Sequence, residues 1–242
     1  MSLQGQYAVV TGGGSGIGKG VAVALAQAGA KVTICGRREA VLDEVVAEYP
    51  SLSLDKRVLD ISDRVAVDAF FEKLRAEVGG PDILVNSAGI NIPNRSMGEM
   101  NPEQWDQIIS VNATGAYNCF RAALPAMRSK GNGLIVNISS VAGKRALPMA
   151  GVAYAASKFA ATALGTSVGL EEAKHGIRVS NIYPGEVNTP LLEQRTERVP
   201  EEKRARMVKP EDVGQVVRLM AELPQTTHIP EIIIKPLYQE YM

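Results

Sequence analysis

Short apolar runs alternate with amphipathic stretches along the whole chain. The runs are rich in valine and isoleucine, which is typical of strands buried on both faces of a parallel sheet. The stretches between them repeat apolar residues at helical spacing, which is typical of helices that cover a sheet. This pattern predicts strands at 7–10, 31–35, 54–59, 82–86, 134–138, 177–183 and 228–234. It predicts helices at 18–28, 39–48, 64–78, 102–128 and 154–174.

Strands that alternate with helices predict an α/β fold, here a Rossmann-like, doubly wound parallel sheet of about seven strands with helices on both faces. The 242 residues contain no repeat, low-complexity segment or interdomain linker, so we expect residues 1–242 to form a single dinucleotide-binding domain. Segment 191–209 departs from the pattern because it is densely charged and broken by Pro200. Either a solvated helix or loop, or a mobile lid over a substrate pocket, would explain that segment.

Composition excludes several classes of partner. Lysine plus arginine equals aspartate plus glutamate, at 26 each, so no basic field calls for a nucleic acid. No apolar run is long enough for a membrane span, and the N-terminus does not resemble a signal peptide. The two cysteines, Cys35 and Cys119, give no disulfide framework and indicate a cytoplasmic protein. The two histidines, His175 and His228, lie far apart, so no metal site is predicted.

A glycine-rich turn follows the first predicted strand, at residues 11–18 (TGGGSGIG). A strand, a glycine turn and a helix form the Rossmann arrangement that binds a dinucleotide. We expect Gly12 to allow the tight turn, Gly16 to let the backbone approach phosphate, and Gly18 to allow close helix packing. The helix N-terminus would then face the pyrophosphate. The spacing differs from Gly-x-Gly-x-x-Gly, so a purely structural turn remains an alternative.

The end of the second strand bears on the choice of cofactor. An acidic residue there would bind the ribose 2′-hydroxyl of NAD, but this chain has Gly36 followed by Arg37 and Arg38. Guanidinium groups suit a 2′-phosphate, so the sequence favours NADP(H) over NAD(H). The alternative is that the two arginines only end the strand.

Tyr154 and Lys158 lie four residues apart in a predicted helix, and positions with this spacing share a helix face. Of the seven tyrosines, only Tyr154 has a lysine four residues later. A phenol has a reference pKa of about 10, and a neighbouring cation favours the phenolate. The pair is therefore interpreted as a proton donor with its tuning charge.

With these motifs in order, the chain over roughly residues 5–190 resembles the short-chain dehydrogenase/reductase family. The matching segments are Thr11-Gly12-x-x-x-Gly16-x-Gly18, Asn86-Ser87-Ala88-Gly89, Val111-Asn112, Ile138-Ser139-Ser140-Val141-Ala142-Gly143, Tyr154-x-x-x-Lys158 and Pro184-Gly185-Glu186-Val187-Asn188-Thr189. Ser87 replaces the second asparagine of the family's Asn-Asn-Ala-Gly motif. The resemblance implies a nicotinamide-dependent enzyme.

The resemblance implies a catalytic set of Asn112, Ser140, Tyr154 and Lys158. Tyr154 would protonate a carbonyl oxygen while Lys158 and the oxidised nicotinamide lower its pKa. Ser140 would stabilise the charge developing on that oxygen. Lys158 would also bind the nicotinamide ribose, and Asn112 would hold a water that links Lys158 to solvent. Ser139 competes for the serine role, but adjacent strand residues face opposite sides, and the family pattern selects Ser140.

The predicted cofactor contacts come from the glycine turn and from the ends of the strands. They are Thr11, Gly12, Gly14, Ser15, Gly16, Ile17, Gly18, Arg37, Arg38, Asp60, Ile61, Asn86, Ala88, Gly89, Tyr154, Lys158, Pro184, Gly185, Val187 and Thr189. Asp60 has two interpretations. Either its side chain or the next backbone N–H contacts adenine, or Asp60 is the N-cap of the following helix.

We therefore predict an NADP(H)-dependent oxidoreductase that moves a hydride between nicotinamide and a carbonyl or secondary alcohol of a small molecule. The alternatives are a non-catalytic NADP-sensing protein on the same fold and an NAD-preferring dehydrogenase. Candidate pocket residues are Lys144, Arg145, Leu147, Met149 and Val152, with Glu186, Leu191 and Leu192 opposite. Lys144 and Arg145 either bind an anion or only supply surface charge. The resemblance also implies a homo-oligomer, a tetramer or a dimer, built through helices 102–128 and 154–174.

Overall fold

A single parallel sheet of seven strands organises the computed structural model, which describes residues 2–195 and 197–240. The strands are β1 (Tyr7–Thr11), β2 (Lys31–Gly36), β3 (Leu54–Val58), β4 (Ile83–Asn86), β5 (Gly133–Ile138), β6 (Ile177–Pro184) and β7 (Glu231–Ile234). Their order across the sheet is β3-β2-β1-β4-β5-β6-β7. The predicted α/β class and the number of strands are confirmed.

The described residues also form eight α-helices. They are α1 (Gly16–Gln27), α2 (Glu39–Glu48), α3 (Arg64–Val78), α4 (Pro102–Ile109), α5 (Ala116–Lys130), α6 (Val152–Glu172), α7 (Glu201–Arg204) and α8 (Pro210–Glu222). The alternation of side chains along β1 separates the two cores, because Val10 packs with the α1 and α8 side and Val9 with the α3 and α5 side.

The two cores are filled by fully buried aliphatic and aromatic side chains. On one face, Leu25 of α1 and Val217 of α8 pack against the sheet, and on the other, Phe71 of α3 and Phe120 of α5 do so. Burial on both faces explains why the inner strands consist of continuous apolar runs.

The predicted long helix over 102–128 is wrong in its middle. α4 ends at Ile109, and Ser110–Gly115 form a π-helical turn before α5 begins. The buried side chain of Asn112 in this turn bonds the backbone of Ile90. Gly115 lies so close to Ile61 that a β-carbon would fall 2.6 Å from that side chain. Helical periodicity alone does not register one such widened turn, which is often found at functional sites.

Helix α8 was missed by the hydrophobic pattern. Its start has a proline at the first position, and its buried face includes Val213, Val217 and Met220. It crosses α1 where Gly214 meets Gly20, and a β-carbon on Gly20 would lie 2.5 Å from the Pro210 carbonyl oxygen. The two helices therefore pack with their backbones almost touching.

No helix in the ranges 2–195 and 197–240 is long and apolar enough to cross a membrane. Both cysteines are free and buried, and burial raises the pKa of the Cys35 thiol to about 12. At neutral pH this thiol is protonated and unreactive.

The topology creates a crevice at the carboxyl edge of the sheet. The chain moves from β1 to β2 and β3 on one side, then crosses to β4 on the other side of β1. The loops after β1 and β4 consequently diverge at this edge. Ligands of doubly wound sheets bind at such a reversal of strand order.

Candidate active site

A cavity of about 380 Å³ occupies the carboxyl edge of the sheet. Its wall runs from the glycine turn and the end of β2, past the ends of β4 and β5, to the segment after β6. The predicted site residues in this wall are Gly12, Gly14, Ser15, Gly16, Ile17, Gly18, Arg37, Arg38, Asp60, Ile61, Ala88, Gly89, Ser140, Tyr154, Lys158, Pro184, Gly185, Val187 and Thr189. The fold therefore brings together residues from distant parts of the sequence.

The glycine turn forms a cradle that side chains would fill. Gly12 has a φ of +68°, and a β-carbon there would lie 2.8 Å from the Ala88 α-carbon. A β-carbon on Gly18 would lie 2.3 Å from the Gly12 carbonyl oxygen. At the start of α1, Ser15 makes no side-chain cap and the first turn carries no acidic residue. These free amides and the positive end of the helix dipole suit a diphosphate.

Two predicted cofactor residues lie behind the cavity wall. The Thr11 hydroxyl accepts hydrogen bonds from the Ser87 and Ala88 amides at 3.1 and 3.2 Å and donates to the Val85 carbonyl at 3.4 Å. The Asn86 side chain is buried and donates to the Ala116 carbonyl. Thr11 thus ties the end of β1 to the loop after β4, and its position shapes the wall.

The end of the cavity beside β2 carries exposed positive charge. Arg37 and Arg38 both line it, and Arg37 Nη1 lies 4.0 Å from Asp60 Oδ2. Asp60 is not the N-cap of α3, because its carboxylate accepts from the Ser62 amide and hydroxyl. Asp63 caps that helix instead. Burial opposes ionisation of Asp60, but the Ser62 hydrogen bonds and Arg37 leave its pKa lowered.

Tyr154 and Ser140 both line the cavity. The hydroxyl of Ser140 lies close enough to the phenol to lower its pKa. It also accepts from the Ala142 amide at 3.1 Å. Ser139 points away, because its hydroxyl donates to the Lys158 carbonyl at 3.1 Å and contacts the Thr162 hydroxyl at 2.9 Å. Alternation at the end of β5 thus presents Ser140, and not Ser139, to Tyr154.

Lys158 and Asn112 form a buried polar layer beneath Tyr154. Lys158 Nζ donates to the Ile138 carbonyl at 2.8 Å and lies 5.7 Å from the centre of the Tyr154 ring. Asn112 bonds both backbone groups of Ile90, at 2.8 and 2.9 Å, and donates to the Ser157 hydroxyl at 3.0 Å. The π-helical turn thus locks the loop after β4 to α6.

Burial and two neighbouring side chains act on the pKa of Tyr154. Burial raises the pKa of the phenol, and this effect outweighs the lowering by the Ser140 hydrogen bond and by the charge of Arg95. Burial also lowers the pKa of Lys158 to about 8. The lowering of the phenol pKa by Lys158 and the oxidised nicotinamide stays a prediction. Arg95, whose charge also lowers the phenol pKa, lies in the β4–α4 loop and gave no sequence signal.

Only some of the predicted pocket residues line the candidate substrate end of the cavity. Leu147, Met149, Glu186, Leu191 and Leu192 line the cavity as expected. Lys144, Arg145 and Val152 do not, and Lys144 Nζ instead pairs with Glu231 Oε2 at 2.5 Å. The wall also contains Asn91, Arg95, Arg195 and Gln239, which the sequence patterns did not identify.

Glu186 joins the segment after β6 to the charged region that follows it. Its buried carboxylate accepts from Arg195 and Lys203, each at 3.0 Å, and from the Tyr238 hydroxyl at 2.8 Å. Burial opposes its ionisation, but these three partners leave the Glu186 pKa lowered. The carboxylate is therefore ionised at neutral pH.

This fold and site define a class: doubly wound oxidoreductases with a dinucleotide cradle beside a Tyr–Lys pair. The short chain dehydrogenase profile matches residues 6–200, and the chain belongs to that family. A 3-oxoacyl-[acyl-carrier-protein] reductase of Thermotoga maritima is 36% identical over 232 residues, covering 91% of this chain and 92% of its own. The family resemblance is thereby confirmed.

Two solved structures share nearly the whole fold. An alcohol dehydrogenase from the archaeon Thermococcus sibiricus, complexed with 5-hydroxy-NADP, has a TM-score of 0.87 and 27% identity, over 98% of this chain and 99% of its own. A 3-ketoacyl-(acyl-carrier-protein) reductase from Brucella melitensis, complexed with NADH, has a TM-score of 0.85 and 29% identity, over 97% and 98%. The chain is an NAD(P)-dependent dehydrogenase or reductase.

Proposed function

We propose that this enzyme interconverts a carbonyl and a secondary alcohol of a small molecule, with Tyr154 as proton donor and acceptor. The observation that carries the proposal is that Ser140, Tyr154 and Lys158 line the same cavity as the glycine cradle. A non-catalytic sensing role would need the cradle but would not need a phenol beside a serine and a lysine in the same cavity.

The chain's own groups divide the chemistry between them. Gly12 to Gly18 and the start of α1 would hold the dinucleotide, which supplies or accepts a hydride when bound. Tyr154 would give its proton to the carbonyl oxygen as charge develops there. Ser140 would stabilise that charge by donating a hydrogen bond. Lys158 would hold the nicotinamide ribose and supply positive charge, and Asn112 would keep the polar layer beneath it in place.

The pH profile tests the role of Lys158. We expect kcat/KM for the reduced cofactor to fall as pH rises through about 8, because Lys158 loses its proton there and the site loses a positive charge. The measurement is the initial rate of cofactor oxidation across pH. In Lys158→Arg any residual activity should lack this alkaline limb, since a guanidinium stays charged. A wild-type profile that stays flat through pH 8 contradicts this role.

NADP(H) is the preferred cofactor in this proposal. Support comes from Arg37 and Arg38 in the cavity wall and from Gly36, which presents no carboxylate to a ribose 2′-hydroxyl. The Asp60 carboxylate lies beside Arg37, so this end also offers an acidic group. The relative that binds NADH makes an NAD-preferring enzyme the second candidate.

The variant Arg37→Ala tests the preference for NADP(H) over NAD(H). We expect the Kd for NADPH to rise about tenfold or more while the Kd for NADH changes little, because a charge-assisted bond to the 2′-phosphate is lost. Both values follow from titrating the fluorescence of the reduced nicotinamide. Arg57→Ala is the matched control, since Arg57 is paired with Asp55 and does not line the cavity. Tighter binding of NADH than of NADPH by the wild type would make the cofactor assignment wrong.

Segment 191–209 is proposed as the cover of the substrate end of a single-domain enzyme. Leu192, Val199 and Met207 form a small buried cluster of their own within the segment, and Leu191 and Leu192 face the cavity. The ion pairs to Glu186 attach this cover to the loop after β6. Residue 196 lies outside the described residues.

We also propose that the chain forms a homo-oligomer, either a tetramer or a dimer. Helices α5 and α6 expose the large apolar side chains of Tyr117, Phe159 and Leu170. Apolar side chains that stay exposed on long helices favour association of the chain with further copies of itself.

A further inference from the structure

The substrate end of the cavity contains an arginine with hydrogen-bonding capacity to spare. Arg95 donates from Nε to the Ile92 carbonyl, from Nη1 to the Met149 carbonyl and from Nη2 to the Gln194 carbonyl, at 2.8, 2.8 and 2.9 Å. Each terminal nitrogen carries a second N–H. The three hydrogen bonds therefore fix the position of the guanidinium group. One N–H remains on each terminal nitrogen, and a carboxylate bound in a bidentate manner requires two such donors.

Arg95 lacks a counter-charge in the part of the chain that the structure describes. The neighbouring ion pairs join Arg195 and Lys203 to Glu186, and Arg204 to Glu193, and none of the ion pairs among the described residues includes Arg95. Among the described residues of this part of the wall, Glu186 is the one carboxylate, and it already accepts from two cations. These described groups together carry a net positive charge.

Arg95 lies in the same cavity as Tyr154, the proposed proton donor, so its positive charge can act on a bound substrate. Arg95 is close enough to Tyr154 for its charge to lower the pKa of the phenol, and both residues line the same cavity. Burial and the like charge of Arg195 lower the pKa of Arg95 itself. A bound anion would relieve both effects, because it would replace lost hydration and screen the two guanidinium groups from each other.

We infer that the substrate is a short oxo acid or the corresponding hydroxy acid, whose carboxylate is bound by Arg95. The same wall contains the apolar side chains of Leu147, Met149, Leu191 and Leu192, which suit a short aliphatic chain between the carboxylate and the carbonyl. This inference rests on the proposed function. In the reductive direction the carbonyl carbon gains a hydride from the reduced nicotinamide, the oxygen gains a proton from Tyr154, and the carboxylate is unchanged.

The test compares a panel of short oxo acids, each beside its methyl ester. For at least one pair we expect the wild type to show a kcat/KM for the acid about ten- to a hundredfold above that for the ester. Arg95→Gln should lose this preference while still reducing the ester, and Arg95→Lys should retain part of it. Arg204→Gln is the matched control, since it removes a guanidinium from the cover 191–209, and Arg204 does not line the cavity. It should keep the preference.

A purely structural Arg95, which only ties Met149 to Gln194, predicts something else. Arg95→Gln would then lower kcat/KM for acid and ester by the same factor, and this result overturns the inference. Equal use of acids and esters by the wild type overturns it as well. If acids, esters and simple ketones all leave the reduced cofactor untouched, the proposed function has failed and not merely its substrate class.

A measurement on the wild type alone covers the case in which Arg95→Gln does not fold. A short saturated carboxylate should inhibit reduction of the ester competitively, and its amide should inhibit at least about tenfold more weakly, because the charge is absent. Equal inhibition by carboxylate and amide contradicts recognition by Arg95.

Discussion

Tyr154→Phe is expected to lower kcat for carbonyl reduction by about 10²- to 10⁴-fold, the contribution typical of a positioned general acid. The substitution removes only the hydroxyl that meets Ser140, and the ring keeps its place on α6 above Lys158. Nucleotide affinity should change little, because the glycine cradle and Arg37 are untouched. Turnover is measured with a carbonyl panel, and affinity by fluorescence titration of the reduced cofactor.

Tyr117→Phe is the matched control for this variant. Tyr117 is exposed on α5 and does not line the cavity, so the loss of its hydroxyl should leave kcat unchanged. Wild-type turnover in Tyr154→Phe would mean that another group donates the proton. A loss of nucleotide affinity as large as the loss of turnover would mean that Tyr154 serves binding and not proton transfer.

Gly18→Ala has the second large expected effect, on nucleotide binding and on stability. Alanine normally favours a helix over glycine by about 1 kcal/mol. Here its β-carbon would fall 2.3 Å from the Gly12 carbonyl oxygen, so either the turn or α1 has to move. Overpacking of this kind costs about 1–3 kcal/mol of unfolding free energy. We also expect the Kd for the reduced cofactor to rise about tenfold or more, because the displaced amides no longer fit the diphosphate.

Gly98→Ala is the control for Gly18→Ala. It adds the same methyl group at a site where that group makes no close contact. Gly98 has no heavy atom within 4 Å of the added β-carbon. Denaturant unfolding and nucleotide titration should both match the wild type in this control. If Gly18→Ala also binds and unfolds like the wild type, the cradle is not as tightly packed as described.

The strands and the central motifs could be predicted because their signals are local. Continuous apolar runs such as 134–138 mark strands buried on both faces, and the actual β5 spans Gly133–Ile138. The spacing of Tyr154 and Lys158 fixes a shared helix face wherever the helix lies. Alternation allows only one of Ser139 and Ser140 to face the site, the family pattern selected Ser140, and in the structure Ser140 lies beside Tyr154.

Features that depend on tertiary contacts could not be predicted in this way. The π-helical turn at Asn112 depends on a bond to Ile90, and helical periodicity carries no trace of it. Arg95 lies in an irregular loop, and its partners Met149 and Gln194 are 54 and 99 residues away. Lys144 looked like a pocket residue by position, but its ion pair with Glu231 depends on where β7 joins the sheet.

The most direct measurement of the central claim follows deuterium from a reduced nicotinamide labelled at the transferable hydride. The account predicts that deuterium appears on the carbinol carbon of the product with wild type and Tyr117→Phe, and that transfer nearly stops with Tyr154→Phe. Tight binding of the labelled cofactor without any transfer to a broad panel of oxo acids, esters and ketones would contradict the account. That result would instead assign the cradle to nucleotide sensing.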